Sequence, residues 1–397
     1  MSVGSPRLEI ADGLLPVDTW NPRAIGVEED FSYIDLSAVD QEKKIIRESK
    51  QVSTKNAPSR ARQIVAAGDI LVSTVRPNLN AVAIVPADLD GATASTGFCV
   101  LRPRQDVLDS GYLFYWVRNP VFIRNMVSLA TGANYPAVSD RIVKGSLMPF
   151  PDVREQKRIA AILDKADAIR RKRQQAIELA DQFLRSVFLN MFGDPVANPK
   201  QWGVLKLGEV TSKIGSGATP RGGKSAYVDE GVSLIRSMNV HDDRFVHDDL
   251  AFITDHQADA LSNVVVENDD VLLNITGASV CRCAMVDNDV LPARVNQHVC
   301  IIRPQRERVL PGYLLHLIIS APFKHQLLTM AGGAGATREA LTKQQVENLL
   351  IPVPPVELQD QFQSITQRVK QIVASHKVQV AKPLFESLSQ KAFAGEL

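Results

Sequence analysis

The chain has 397 residues, of which 45% are hydrophobic and 22% are charged, and its formal net charge is +1. This composition is ordinary for a soluble globular protein with room for two or three domains. The near-neutral balance argues against a protein that holds nucleic acid by bulk charge, but it does not exclude DNA binding through a basic face. Four cysteines do not make a disulfide framework, no apolar run reaches the roughly 20 residues that span a bilayer, and residues 1–15 lack a secretory signal pattern, so we expect a cytoplasmic protein.

The first part of the chain is predicted to be rich in strands. Short apolar runs at Ile70–Val75, Ala81–Val85 and Phe98–Leu101 are bounded by Gly, Pro, Asn or Asp, which is typical of strands. Helices are predicted to follow at Gly111–Arg118 and Phe122–Leu129. The pattern indicates an α+β domain with a strand-rich core.

A long helix is predicted next, because Arg154 to Met191 contains neither Gly nor Pro. Gly193-Asp194-Pro195 ends it. Its apolar residues alternate in steps of three and four, as in a coiled-coil seam interrupted at Arg173. The seam residues are Ile159, Ile162, Ala166, Ile169, Ala176, Ala180, Phe183, Val187 and Met191. Midway along the helix lies a basic run, Arg170 to Arg173, which fits either a solvated face or a strip near DNA phosphates or an acidic partner.

The second half of the chain repeats the first at an offset of 201 residues. Strands are predicted at Val271–Ile275, Cys283–Val286 and Val299–Ile302, and helices at Gly312–Ser320 and Phe323–Met330. The matched pairs are Asp69 and Asp270, Leu71 and Leu272, Cys99 and Cys300, Arg102-Pro103 and Arg303-Pro304, and Gly111-Tyr112-Leu113 and Gly312-Tyr313-Leu314. A slip of two residues then aligns Pro149 with Pro352 and Gln156 with Gln359. Since this period is the length of a whole domain with an added segment, the chain is predicted to contain a duplicated domain.

A second helical segment ends the chain. Apolar positions continue at Leu384 and Leu388 beyond Pro383, which should kink or break the helix. The first seam positions are Phe362, Ile365, Val369, Ile372 and His376. We expect the two long helices to pair antiparallel, because two copies related by a two-fold axis point in opposite directions. The alternative is that each helix packs on its own domain.

The sequence contains little that looks catalytic. Ala218 to Ser225 fits a relaxed P-loop pattern, but the residues after it do not look like a helix start and Pro220 removes a backbone donor. A basic loop able to contact DNA is the favoured interpretation. Cys281 and Cys283, and likewise Cys99 and Cys300, are interpreted as core residues and not as metal ligands.

The order of elements resembles a known family. Each strand-rich domain leaves through a proline-containing exit that leads into a long helix: Met148-Pro149-Phe150-Pro151-Asp152-Val153-Arg154-Glu155-Gln156 and Ile351-Pro352-Val353-Pro354-Pro355-Val356-Glu357-Leu358-Gln359. Together with the opening Trp202 to Val210 and the segment Gly217 to Pro220, this resembles the DNA specificity subunit of type I restriction–modification systems over essentially the whole chain. The first copy departs from the pattern, since it lacks the tryptophan opening and the glycine-rich loop.

The resemblance implies a division of labour. The fold would be two similar α+β target recognition domains, residues 1–152 and 193–353, joined by helices at 153–192 and 354–397 that form an antiparallel coiled coil with pseudo-two-fold symmetry. Each domain would read one half of a bipartite, asymmetric site in double-stranded DNA. The helices would space the domains and dock two methyltransferase subunits that carry S-adenosylmethionine, and motor–nuclease restriction subunits would join for cleavage. This chain would bind no cofactor, metal or membrane and would catalyse nothing itself.

The candidate DNA-contacting residues are polar residues on loops that differ between the copies, because sequence is read at base edges. In the first copy they are Arg76, Asn78, Asn80, Asn134 and Tyr135. In the second copy they are Thr219, Arg221, Lys224, Arg236, Asn239, Thr276, Ser279, Thr337 and Arg338. Two other functions compete with this prediction. One is a two-domain coiled-coil scaffold that does not act with a methyltransferase, and the other, less favoured, is a P-loop NTPase that uses Lys224.

Overall fold

The computed structural model describes residues 6–332, 339–377 and 381–397, without the side chains of residues 375–377 and 381–383. The chain divides into two compact units. The first comprises Met1–Gln174 and Lys377–Leu397, and the second comprises Gln175–His376. None of the described helices combines the length and the apolar character needed to cross a membrane.

The first unit contains two four-stranded sheets, of order β6-β3-β10-β7 and β2-β11-β8-β9, and a pair formed by its first and last strands. The strands are β1 (Arg7–Glu9), β2 (Leu14–Leu15), β3 (Asp30–Ile34), β4 (Val39–Asp40), β5 (Ile45–Ile46), β6 (Lys50–Ser53), β7 (Ala61–Ile64), β8 (Ile70–Ser73), β9 (Val82–Ile84), β10 (Thr93–Ser95), β11 (Phe98–Pro103) and β12 (Leu147–Pro149). The helices are α1 (Ser110–Trp116), α2 (Pro120–Leu129), α3 (Asp140–Lys144) and the start of α4 (Val153–Phe192).

The second unit repeats this arrangement with sheets of order β18-β15-β22-β19 and β14-β23-β20-β21. The strands are β13 (Val204–Lys206), β14 (Thr211–Ser216), β15 (Val232–Ile235), β16 (Val240–His241), β17 (Arg244–Phe245), β18 (Ala251–Ile253), β19 (Val265–Val266), β20 (Val271–Asn274), β21 (Cys283–Met285), β22 (Ala293–Val295), β23 (Val299–Pro304) and β24 (Leu350–Pro352). The helices are α5 (Asp255–Asp259), α6 (Pro311–Ile319), α7 (Ala321–Ala331), α8 (Lys343–Glu347) and α9 (Val356–Lys377), and α10 (Ala381–Ala394) follows in the chain.

The predicted duplication is confirmed down to strand register. Val72 of β8 pairs with Cys99 of β11 in the first unit, and Leu273 of β20 pairs with Cys300 of β23 in the second. Because side chains alternate across a strand, each central sheet separates two apolar clusters, with Cys99 on the helix side and its neighbour Val100 on the other. All four cysteines are buried, as predicted for core residues, and burial raises the pKa of Cys300 to about 12.

Gln156 and Gln359 hold the start of each long helix against its domain. Both side chains are 0% exposed. The Oε1 atom of Gln156 accepts from the Asp109 amide at 2.9 Å, and its Nε2 atom donates to the carbonyls of Val107 and Pro151 at 3.0 and 2.8 Å. The second unit reproduces these three bonds with the backbone of Leu310, Arg308 and Pro354. The glutamine that ends each exit motif is therefore a latch between helix and domain.

The long helix α4 forms as predicted, but its buried stripe near the C-terminal end is shifted by one residue. The buried residues there are Leu184, Phe188 and Phe192, whereas Phe183 is 52% exposed and Val187 and Met191 are only partly buried. The predicted seam is therefore wrong in this part of the helix. The reason is that Phe188 and Phe192 pack on Tyr313 and Phe362 inside the second unit.

The second helical segment consists of two helices, α9 and α10, with Pro383 in the first turn of α10. In the first unit α10 runs antiparallel to α4, since Arg158 donates to the carbonyl of Leu397 while Arg170 lies 6.0 Å from the ring of Phe385. Phe362 is buried and Ile365 and Val369 are half-buried, whereas Ile372 is 61% exposed. The side chain of His376 lies outside the described residues.

The last helix completes the core of the first unit. The ring of Phe393 lies 5.1 Å from that of Tyr112 and 5.2 Å from that of Trp116. Phe192 occupies the equivalent place in the second unit, 4.8 Å from Tyr313. Since Phe192 and Phe393 are also 201 residues apart, each unit is closed by a helix end that belongs to the other sequence repeat.

His316 is expected to make the stability of the second unit depend on pH. Its ring is buried against Phe362, and its Nδ1 atom donates to the carbonyl of Gly312 at 2.9 Å. Burial lowers the pKa of His316 although the carboxylate of Asp243 lies 3.9 Å from Nε2. The unfolded chain binds a proton at His316 near pH 6.5, whereas the folded unit disfavours that proton. The free energy of unfolding is therefore highest above about pH 6.5 and decreases as the pH falls below it.

We expect this loss to reach at most about 1.4 kcal/mol per pH unit. Thermal unfolding of the second unit, followed at pH 7.5 and pH 5.5, should show a lower transition temperature at pH 5.5. The variant His316→Leu should show a smaller difference between the two values. An equal difference in the variant and the wild type would contradict the assignment.

Candidate nucleic-acid interface

In the first unit two exposed loops meet beyond the end of β8. Val75 bridges to Ala137, and the amide of Arg76 donates to the carbonyl of Pro136 at 2.7 Å. The guanidinium of Arg76 then lies 5.0 Å from the ring centroid of Tyr135, which is 69% exposed. Arg76 has a φ of +50°, a left-handed conformation that costs a non-glycine residue roughly 1–2 kcal/mol. The loops thus hold a cation and an aromatic ring together at the surface.

The predicted asparagines of this unit fall into two groups. Asn78 and Asn134 are exposed next to the Arg76–Tyr135 pair, where they can reach a ligand. Asn80 is half-buried, and its side chain donates to the carbonyl of Val117 at 2.9 Å and accepts from Lys44 at 3.1 Å. The Asn80 side chain is therefore used inside the unit, which argues against its predicted role at a base edge.

In the second unit the glycine-rich loop follows β14 and carries Thr219, Arg221 and Lys224. Arg221 and Lys224 are exposed. The loop leads into a four-residue 3₁₀ helix, Gly223–Ala226, and not into an α-helix. Because a phosphate cradle needs the amides and dipole of a longer helix, this geometry opposes nucleotide binding at Lys224 and fits a basic surface loop.

A chain of hydrogen bonds links this loop to two others. The Oγ1 atom of Thr219 donates to Oε1 of Gln297 at 2.6 Å, and Nε2 of Gln297 lies 3.0 Å from Nε2 of His298. The Nδ1 atom of His298 lies 2.5 Å from Oγ1 of Thr276. The structure therefore links Thr219 to Thr276 through Gln297 and His298, two residues that were not among the predicted DNA-contacting residues. Comparison of the two sequence copies could have identified these residues, because the first copy has Thr96-Gly97 where the second has Gln297-His298.

Asn239 is buried, which argues against its predicted contact with DNA. Its side chain is 0% exposed and caps the following turn, accepting from the amide of Arg236 at 3.0 Å and donating to the carbonyls of Val246 and Asp248. Arg236 is half-buried; it donates to the carbonyl of Asp249 and lies 5.5 Å from the ring of Tyr227. Ser279 is half-buried, and Thr337 and Arg338 lie outside the described residues.

The basic run on α4 is partly neutralised within the first unit. Arg170 and Arg171 lie 2.8 and 3.8 Å from the carboxylate of the buried Asp167, which also faces Arg118 at 3.4 Å. Burial alone would raise the pKa of Asp167, but Arg118 and Arg170 outweigh it and the pKa is lowered. Part of the run therefore serves an internal ion-pair cluster.

The long helix α4 connects two strand-rich units, each of which carries exposed polar loops. Among the described residues no group of three or more His, Cys, Asp or Glu side chains is placed to hold a metal ion. Comparison with known proteins gives the family. Residues 31–179 and 199–382 match the type I restriction modification DNA specificity domain, and the chain belongs to this family.

Similar proteins agree with that assignment. The chain is 22% identical to the type I restriction enzyme MjaIX specificity subunit of Methanocaldococcus jannaschii over 89% of this chain and 83% of that protein. It is also 22% identical to the EcoBI specificity subunit of Escherichia coli over 75% and 68%.

Among solved structures, a chain from work on complex assembly and conformational transition of the type I R-M system is 26% identical, with a TM-score of 0.55 over 100% of this chain and 99% of that one. The S subunit from M. genitalium shares the fold, with a TM-score of 0.59 at 14% identity and 99% and 96% coverage.

Members of this family recognise DNA and are not catalytic. The prediction that this chain is a DNA-recognition subunit and not an enzyme is therefore confirmed.

Proposed function

We propose that each unit reads one half of a bipartite, asymmetric site in double-stranded DNA. The observation that carries this proposal is that the two units share one scaffold but differ in the polar side chains on its loops. The first unit presents Arg76 and Tyr135, whereas the second presents Thr276 beside His298. Base identity is read by the donors and acceptors that a protein offers in a groove, so two different sets read two different sequences.

The long helices are proposed to set the gap between the half-sites. The helix α4 has 40 residues without interruption, which corresponds to about 60 Å of length. The glutamine latches at Gln156 and Gln359 fix the point at which each helix leaves its domain. A spacer held rigidly at its ends restricts the separations that two reading domains can bridge.

The same helices are proposed to dock two methyltransferase subunits. Ile169, Leu179 and Phe183 of α4 are 44%, 56% and 52% exposed, and large apolar side chains exposed along one helix suit a protein interface. The duplicated architecture offers two equivalent places, hence two partner copies. The partners would bind S-adenosylmethionine and methylate adenine, and motor–nuclease subunits would add cleavage.

Domain exchange tests the proposal. The chain is produced with its methyltransferase partner, and methylated adenines are mapped in DNA from the same cells. Replacing only residues 200–350 by the equivalent domain of another family member should change one half of the methylated sequence and leave the other half intact. The reciprocal exchange of residues 1–150 is the matched control and should change only the other half. A target that changes in both halves after either exchange would overturn the proposal.

A further inference from the structure

We propose that Gln297 and His298 determine part of the sequence read by the second unit, together with Thr219 and Thr276. This inference rests on the proposed function and assigns residues within it. The four side chains form the hydrogen-bonded chain described above, and they come from three loops that would otherwise be independent. Gln297 is exposed and the other three are half-buried, so the chain lies at the surface.

Hydrogen bonds to neighbouring segments hold the backbone of the turn at residues 296–298. The buried side chain of Asn296 accepts from the amide of His298 at 3.0 Å, and the carbonyl of His298 accepts from Ile275 at 2.9 Å. The carbonyl of Asn296 accepts from Gly217 at 3.1 Å, which ties the glycine-rich loop to the same turn. A Cβ atom on Gly217 would lie 1.9 Å from the carbonyl oxygen of Val295, so only glycine permits this approach. The polar side chains are thus presented by a preorganised turn.

The directions of these hydrogen bonds determine which donors and acceptors remain available to a ligand. The amide Nε2 of Gln297 can only donate, so Nε2 of His298 accepts and its Nδ1–H donates to Thr276. Thr276 then retains its hydroxyl hydrogen as a donor, Gln297 retains one N–H, and Thr219 retains acceptor lone pairs. Adjacent donors and an acceptor are the pattern that distinguishes base pairs in the major groove.

The first unit shows that the turn is kept while its side chains change. Ser95 replaces Asn296 and accepts from the amide of Gly97 at 3.1 Å, and the carbonyl of Gly97 accepts from Thr74 at 3.0 Å. At the position of His298 the first unit has Gly97, where a Cβ would lie 2.9 Å from Leu36. A side chain at this point of the first unit would therefore require the side chain of Leu36 to move. The turn thus has the same backbone in both units but carries different side chains. Such a position can give the two domains different target sequences.

The test uses the complete complex with its methyltransferase partner and a DNA library randomised across the target. The variants are Gln297→Glu, Gln297→Ala and His298→Ala. Loss of a base-edge contact should relax discrimination at one or two positions of a single half-site by roughly 5- to 100-fold. Gln297→Glu replaces the remaining donor by an acceptor, so it should change the preferred base and not merely relax the choice. The control Gln344→Glu makes the same change on an exposed position of α8 and should leave the target unchanged.

The possible outcomes distinguish a role in base recognition from a role in stabilising the second unit. Because Gln297 is exposed, its variants should fold, and hydrogen exchange of the second unit checks this. A purely structural role would lower methylation at all sites without altering the preferred bases, and that result would overturn the inference. Unchanged preference at every position in all three variants would also overturn it. If the wild-type complex shows no bipartite target at all, the failure belongs to the proposed function.

Discussion

Replacing Phe393 by alanine is expected to destabilise the first unit strongly and to leave the stability of the second unit almost unchanged. Phe393 lies in the last helix, yet its buried ring packs on Tyr112 and Trp116 of the N-terminal domain. Truncating a buried phenylalanine removes about 3–5 kcal/mol, because the transfer free energy is lost and a cavity remains. A domain is typically stable by only about 5–15 kcal/mol, so this loss is a large fraction of the total.

Hydrogen exchange resolved by peptide measures the effect in each unit. Peptides that cover Phe98–Pro103 and Ser110–Trp116 should lose protection in Phe393→Ala, and peptides that cover Val299–Pro304 should keep it. The matched control is Phe192→Ala, at the equivalent position of the repeat, where the ring packs on Tyr313 and Phe362. That variant should reverse the pattern. Equal loss of protection in both units, in either variant, would show that the helix ends do not close the units separately.

The sequence alone predicts the repeated strands and the long helix for a physical reason. The apolar runs at Ile70–Val75 and Val271–Ile275, and the absence of Gly and Pro from Arg154 to Met191, are local signals that tertiary contacts reinforce. The sequence alone does not predict which face of α4 is buried. Both Phe183 and Leu184 are apolar, and the choice between them depends on where Tyr313 and Phe362 lie in the fold.

Individual polar residues of the interface are harder to predict, because a single residue type serves two purposes. An asparagine amide can pair with adenine, but in Asn239 the same donors and acceptor satisfy the backbone of a turn. Gln297 and His298 gave no motif of their own, and their significance appears only when Thr96-Gly97 is placed beside them in the repeat. Comparing the two copies position by position is therefore more informative than searching loops for polar residues.

Replacing Gln156 by glutamate is expected to release the long helix from the first unit. The substitution keeps the volume and the oxygen that accepts from Asp109, but it replaces the donor to Val107 and Pro151 by a second oxygen. The partly buried carbonyls of Val107 and Pro151 then face an acceptor, and a fully buried group left unsatisfied costs about 1–3 kcal/mol. The added charge is also buried, so the total loss should exceed that of Gln156→Ala.

The expected effect of Gln156→Glu on function differs from that of replacing a residue that contacts a base. If the helices set the gap between the half-sites, a loosened latch should broaden the accepted gap and leave the bases of each half unchanged. Methylation of a library in which the gap varies and both halves are constant measures this directly. Gln371→Glu makes the same substitution on an exposed position of α9 and should keep the wild-type gap. Gln359→Glu should resemble Gln156→Glu, because its three hydrogen bonds are equivalent. A folded Gln156→Glu complex with an unchanged gap would show that the latch stabilises the first unit without controlling the distance at which DNA is read.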